Sequence, residues 1–94
     1  MTETFRTFAD ALEGLLNENQ ALTRELIQHF SDISPQHLNA LMDIWGAVPT
    51  ARKQFFLTTL KKYLEQNILF SFDLLARRML QDEDPIVRAT AIRL

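Results

Sequence analysis

The sequence predicts an all-α fold, an α-solenoid of about three stacked helical hairpins. Three observations predict it. Apolar residues recur at i, i+3, i+4 and i+7 through most of the chain. Two helix starts are unusually well marked, Ser34-Pro35 and Asp84-Pro85, each a side-chain cap followed by a proline at the first helical position. Two glycines and three prolines in 94 residues leave little material for β-hairpin turns.

The first predicted helix runs from about Glu3 to Leu16, with Phe5, Phe8, Ala9, Leu12, Leu15 and Leu16 as its apolar stripe and Gly14 weakening its end. Asn17-Glu18-Asn19 breaks it, and Asn17 with Gln20 has the residue types of a capping box. The second helix lies between Gln20 and Ser31, with Thr23 as another candidate cap and Leu22, Leu26, Ile27 and Phe30 inward. The third starts at Ser34-Pro35, buries Leu38, Leu41, Met42 and Trp45, and stops near Gly46, with Pro49 blocking continuation.

The fourth helix, about Thr50 to Gln66, is the longest. Phe56, Leu57, Leu60, Tyr63 and Leu64 share one face, and Lys53 lies at its edge, where a long side chain can reach water. Phe55 falls outside that face with Arg52, Thr59, Lys62 and Gln66. Asn67 ends the helix. The fifth is expected from a Ser71 cap to about Gln81, with Phe72, Leu75, Ala76, Met79 and Leu80 inward and Leu74 outward between Arg77 and Arg78. In the sixth, Ile86, Val87, Ala91 and Leu94 follow Pro85 at helical spacing.

Residues 82–94 carry a resemblance. Asp82, Asp84, Pro85, Val87, Arg88 and Ala91 resemble, position by position, the HEAT-repeat signature of an acidic residue, an Asp-Pro turn, Val-Arg and an alanine-rich helix. The resemblance implies a chain divided into an atypical N-terminal cap hairpin (1–33), a second hairpin (34–67) and a HEAT unit truncated at its second helix (68–94). It further implies the N-terminal segment of a bacterial-type multi-repeat protein, with Asp82 and Arg88 tying neighbouring units together by hydrogen bonds. Terminal units of such stacks are atypical because they must present a polar outer face. The outer side of the last two helices is then expected to be apolar and to promote self-association.

Composition narrows the function. With no cysteine, disulfides, thiolate zinc sites and thiol catalysis are excluded. Two histidines, His29 and His37, are too few and badly spaced for a metal site. Ser31, Asp32, Ser34 and His37 include triad residue types, but the serines serve better as turn and cap, and no nucleophile elbow surrounds them. Asp82-Glu83-Asp84 lacks the central glycine and distal glutamate of a calcium loop. No glycine-rich phosphate loop is present. No catalytic, cofactor or metal residues are therefore assigned.

The net charge of -2 conceals a split. Through Val48 two basic residues face seven acidic ones, and from Pro49 eight basic face five acidic, so the halves are net -5 and +3. The slightly acidic whole argues against a nucleic-acid protein, despite Arg52, Lys53, Lys61, Lys62, Arg77 and Arg78. No apolar run approaches a membrane span and no signal peptide is evident, so a cytoplasmic location is the default expectation. The expected function is a non-enzymatic protein-protein interaction scaffold, with Arg52, Phe55, Thr59, Lys62 and Gln66 as the contact surface for another protein. A nucleic-acid-binding HEAT-like module, or an accessory part of an enzyme such as a HEAT-like lyase, is the alternative that the resemblance implies.

Overall fold

The computed structural model describes residues 5–66 and 69–94. Among these the regular structure is entirely helical: α1 Phe8–Leu16, α2 Arg24–Gln28, α3 Pro35–Trp45, α4 Thr50–Gln66, α5 Asp73–Met79 and α6 Pro85–Ile92. Every helix contributes to one continuous cluster of buried side chains, with Leu15, Leu26, Ile27, Phe30, Leu41, Phe56, Leu57, Leu60, Leu75, Met79 and Val87 fully enclosed. α1 packs against α2 and α3, and α6 packs against α4 and α5. The radius of gyration is 12.2 Å, close to the ~12 Å that size scaling gives a globular chain of this length.

The helix starts are set by local chemistry. Thr7 caps α1: its hydroxyl accepts from Asp10 N, and the Asp10 carboxylate accepts from Thr7 N, each at about 3.1–3.2 Å. This capping box places the start at Phe8. Phe5 and Arg6 stay outside the helix, and Glu3 lies outside the described residues. The buried face of α1 is also turned from the expected one. Phe8, Ala11, Gly14 and Leu15 are buried, whereas Ala9 and Leu16 are exposed. The reason is close approach: a Cβ on Gly14 would stand 2.7 Å from Leu26 Cδ1 and 2.8 Å from Phe5 Cε1. The small residues 11 and 14 let the second layer close on this side.

Asn17 does not open α2. Its side chain accepts from Asn19 N at 3.0 Å, an Asx turn, and the cap is Thr23, whose hydroxyl accepts from Leu26 N. α2 is only five residues long, because from His29 to Ser31 the backbone bonds shift to i→i−3 partners. Leu22, Leu26, Ile27 and Phe30 are nevertheless all buried. The segment ends at Asp32, the one non-glycine residue with positive φ (50°) among those described, in a conformation that aspartate tolerates better than most.

Ser34 and Pro35 start α3 as the sequence predicts, with the Ser34 hydroxyl accepting from His37 N at 3.1 Å. Ser71, in contrast, does not cap α5. Phe72 occupies the cap position without a side-chain bond. Ser71 pairs instead with the turn before α3: its N–H donates to Ser31 Oγ at 3.0 Å, and its carbonyl accepts from Asp32 N at 2.7 Å. α5 ends at Met79, so Leu80, expected inside, is 43 % exposed. The end of α4 near Asn67 lies outside the described residues.

The largest departure is in α4. Arg52, expected on the exposed surface, is buried. Its Nε donates to Leu15 O at 2.9 Å, and its Nη2 lies 2.8–2.9 Å from the carbonyls of Gly14, Asn17 and Gln20. Gly14 and Leu15 supply orphan carbonyls at the end of α1, and Gln20 one in the loop that follows, where Asn17 O also accepts from Gln20 N at 2.9 Å. Thr59 is buried as well, its hydroxyl donating to Phe55 O at 2.7 Å. Burial lowers the Arg52 pKa, the Glu18 charge opposes that shift, and a guanidinium stays charged throughout.

Replacing Arg52 with Met keeps the bulk of the stem but strands three carbonyls, those of Gly14, Leu15 and Gln20, while Asn17 O keeps the bond from Gln20 N. Urea unfolding of Arg52→Met should show a loss of about 3 kcal/mol, the scale of charged hydrogen bonds broken in a buried site. Arg52→Lys should recover only part of it, because an ammonium lacks the planar fork. A midpoint unchanged in the Met variant would mean that water satisfies those carbonyls equally well.

Candidate interaction surface

α4 presents an exposed stripe of Ala51, Phe55, Thr58, Lys62, Glu65 and Gln66. The spacing i, i+4, i+7, i+11 keeps these residues on one side of the helix. Of the five residues expected to form a contact surface, Phe55, Lys62 and Gln66 are on this stripe. Arg52 and Thr59 are not, and Thr58 takes the place of Thr59, its hydroxyl bonded to Gln54 O at 2.9 Å. Phe55 is 53 % exposed. Its ring centroid lies 5.9 Å from Arg52 Cζ, so the buried cation braces the ring from below. Further along, Lys61 is paired with Glu65, while Lys62 projects into solvent.

At the C-terminal end of α4, Gln66 borders a cleft of about 380 Å³ with Arg24, Tyr63 and Phe70. Tyr63 and Phe70 meet edge to face at 6.3 Å, and Arg24 Cζ stands 5.7 Å from the Phe70 centroid. The cleft has one cation, one amide and two rings, with no carboxylate or nucleophile among its lining residues.

The second feature is the junction between α5 and α6. Asp82 Oδ1 accepts from the indole N–H of Trp45 at 2.7 Å, joining this junction to the end of α3. Its other oxygen accepts from Asp84 N at 3.0 Å. Asp84 caps α6, accepting from Val87 N at 2.9 Å, and takes two longer bonds from Gln54 Nε2 at 3.2 and 3.3 Å. Arg88 folds back within the junction and donates to the carbonyls of Asp82 and Glu83 at 2.7 and 2.9 Å. Asp82 therefore reaches another helix pair. Arg88 binds locally instead of reaching a neighbouring unit, because the two carbonyls that precede its own helix lie within its span. The sequence did not reveal Trp45 and Gln54 as partners; a tryptophan in a half-polar helix end, needing an acceptor for its N–H, is the signal that was available. Beside the junction, Lys53 sits 5.3 Å above the Trp45 ring, at the edge of a cleft of about 330 Å³ shared with Arg78.

The residues with catalytic potential are all occupied by structure. Ser31 Oγ accepts from Ser71 N, Ser34 Oγ caps α3, and the His37 ring stacks parallel on Phe8 at 4.3 Å. The His29 ring nitrogen Nε2 is 2.6 Å from Phe5 O. Among the described residues no group of three or more potential metal ligands converges, and no helix is long and apolar enough to cross a membrane.

Two outcomes follow from the junction. Asp82→Ala should cost about 1–2 kcal/mol, because it removes one bond to Trp45 and one to a loop N–H. Trp45 is the single tryptophan of the chain, so its emission reads the same event directly. An unchanged spectrum and midpoint would place Asp82 outside the packing of α3.

Asp84 carries the pH dependence. The bond from Val87 N lowers its pKa most, burial opposes, and Gln54, the Ile86 N–H and Arg88 lower it further. A folded pKa below the unfolded value contributes stability above the unfolded pKa of about 3.9, and that contribution is lost as pH falls through the folded pKa. Asp84→Asn should therefore be less stable than wild type at neutral pH, with the gap narrowing only below about pH 4. A gap that closes between pH 5 and 7 would assign the effect to another group. Comparison with family models, with curated proteins and with solved structures finds no match for this chain.

Proposed function

We propose that this chain is a non-enzymatic helical module that binds another protein, built as stacked hairpins in the manner of HEAT-like α-solenoids. Phe55 carries the reading. A phenylalanine 53 % exposed in the first half of the longest described helix, braced by a buried arginine and two turns before Lys62 on the same stripe, is a rigid aromatic anchor in a polar surround. Such residues dominate binding energy at protein interfaces. The repeat arrangement is supported by the Asp82 side chain, which links the α5–α6 junction to α3 in the role that the signature assigns to that aspartate. Weighing against the enzyme alternative, Ser31, Ser34 and His37 are engaged in a turn, a cap and a ring stack, and His29 Nε2 lies 2.6 Å from Phe5 O.

The test begins with a partner captured by the wild-type chain and then purified. Phe55→Ala combined with Lys62→Glu should weaken its binding at least about tenfold, 1.4 kcal/mol. Both side chains are exposed, so the melting temperature should stay within a few degrees of wild type. Full affinity in the double variant would remove this face of α4 as the contact.

A further inference from the structure

Arg24 is a cation without a polar partner. It is the first residue of α2 and is exposed, and among the described residues its side chain donates to no carbonyl and pairs with no carboxylate. What holds it is Phe70. The Arg24 Cζ stands 5.7 Å from the centroid of that ring, which is buried and meets Tyr63 edge to face. Contact with a ring uses the face of a guanidinium and leaves its N–H groups free in the plane.

These three side chains line the cleft of about 380 Å³ at the end of α4, together with Gln66. The Tyr63 hydroxyl and the Gln66 amide, like Arg24, have no hydrogen-bond partner among the described residues. A guanidinium, a phenol and an amide thus bring unspent donors to one cleft whose lining holds no carboxylate. Glu25 and Glu65, the acids adjacent in sequence to the lining residues, do not line it: Glu65 is paired with Lys61, and Glu25 is turned about 100° from Arg24 on α2. The cleft beside Trp45 differs, since there Lys53 and Arg78 share the walls with Asp82 and Glu83 and neither sign of charge is selected.

We propose that this cleft binds a small aromatic carboxylate. The Arg24 fork takes the two carboxylate oxygens in parallel hydrogen bonds. The Tyr63 hydroxyl and the Gln66 amide supply further donors, and the rings of Tyr63 and Phe70 offer an apolar wall for the body of the ligand. A concave site walled by rings, with a few convergent polar groups that fix orientation, is the common form of a small-molecule site. A carboxylate suits it better than a neutral amide, because it accepts from all three donor groups and balances the one unpaired cation. A phosphate monoester shares the oxyanion but carries a second charge, for which the cleft has no second cation.

Tyr63 is the single tyrosine of the chain, so an isotopic label on its ring reads the cleft directly by NMR. The probes are phenylacetate, its neutral amide phenylacetamide, and phenyl phosphate. Phenylacetate should shift the Tyr63 signals saturably and bind at least about tenfold more tightly than either of the others. Arg24→Gln should weaken phenylacetate at least about tenfold while circular dichroism stays native, and Arg24→Lys should recover only part, because an ammonium lacks the planar fork. No saturable shift, equal binding of the amide, or full affinity in Arg24→Gln would overturn the site. Tighter binding of phenyl phosphate would overturn the carboxylate assignment. Nothing here rests on the α4 contact: Phe55→Ala should leave phenylacetate binding unchanged, so the two readings fail separately.

Discussion

The guanidinium of Arg52 holds the two ends of this molecule's sequence logic together. α1 ends without a glycine cap and with no basic residue in its last turn. Its terminal carbonyls carry the negative end of the helix dipole and need donors. Arg52 supplies them from a helix more than thirty residues away, and in the same act fixes the loop carbonyls of Asn17 and Gln20. One side chain thus sets the position of α1, the path of the loop into α2 and the rotation of α4. The rotation shapes the surface, since with Arg52 turned inward Phe55 lies outward on the adjoining edge.

Local signals in the sequence were reliable where the chemistry itself is local. Ser34-Pro35 and Asp84-Pro85 open helices because cap, proline and acceptor lie within four residues of one another. Thr7 with Asp10 is equally local and legible, yet Phe5, counted in the apolar stripe, drew the expected start towards Glu3. Arg52 was illegible for a different reason. On a wheel of about 100° per residue it lies roughly 40° from Phe56, well within the buried face. Periodicity grouped it with Phe55 and Thr59 outside the expected apolar face, and no pattern within α4 reveals an acceptor set at the end of α1. Ser71 shows the same limit: its partners, Ser31 and Asp32, are forty residues distant.

The candidate surface was legible in part. Phe55, Lys62 and Gln66 could be placed outside the core from periodicity, whereas Thr59 and Thr58 differ by one residue and exchange faces. An apolar outer side of the last two helices was expected from the truncated-repeat reading, with Ile86 grouped at helical spacing with Val87, Ala91 and Leu94. The capped start decides this: with Asp84 at the cap and Val87 donating to it, Val87 and Ala91 take the inward positions and Ile86 is left outside.

The acidic residues explain how the second half is held together at its last junction. Asp82 and Asp84 are spent on an indole, a helix start and an amide. In that arrangement they stabilise the junction through hydrogen bonds of 2.7–3.3 Å from neutral donors. Arg77, Arg78 and Arg93 remain exposed, whereas Arg88 folds back onto the carbonyls of Asp82 and Glu83. A chain selected only for solubility would place carboxylates beside its exposed isoleucines, where they add most to colloidal stability. Their concentration at the junction leaves the outward side of α6, with Ile86, Ala89 and Ile92, without a carboxylate from its own helix.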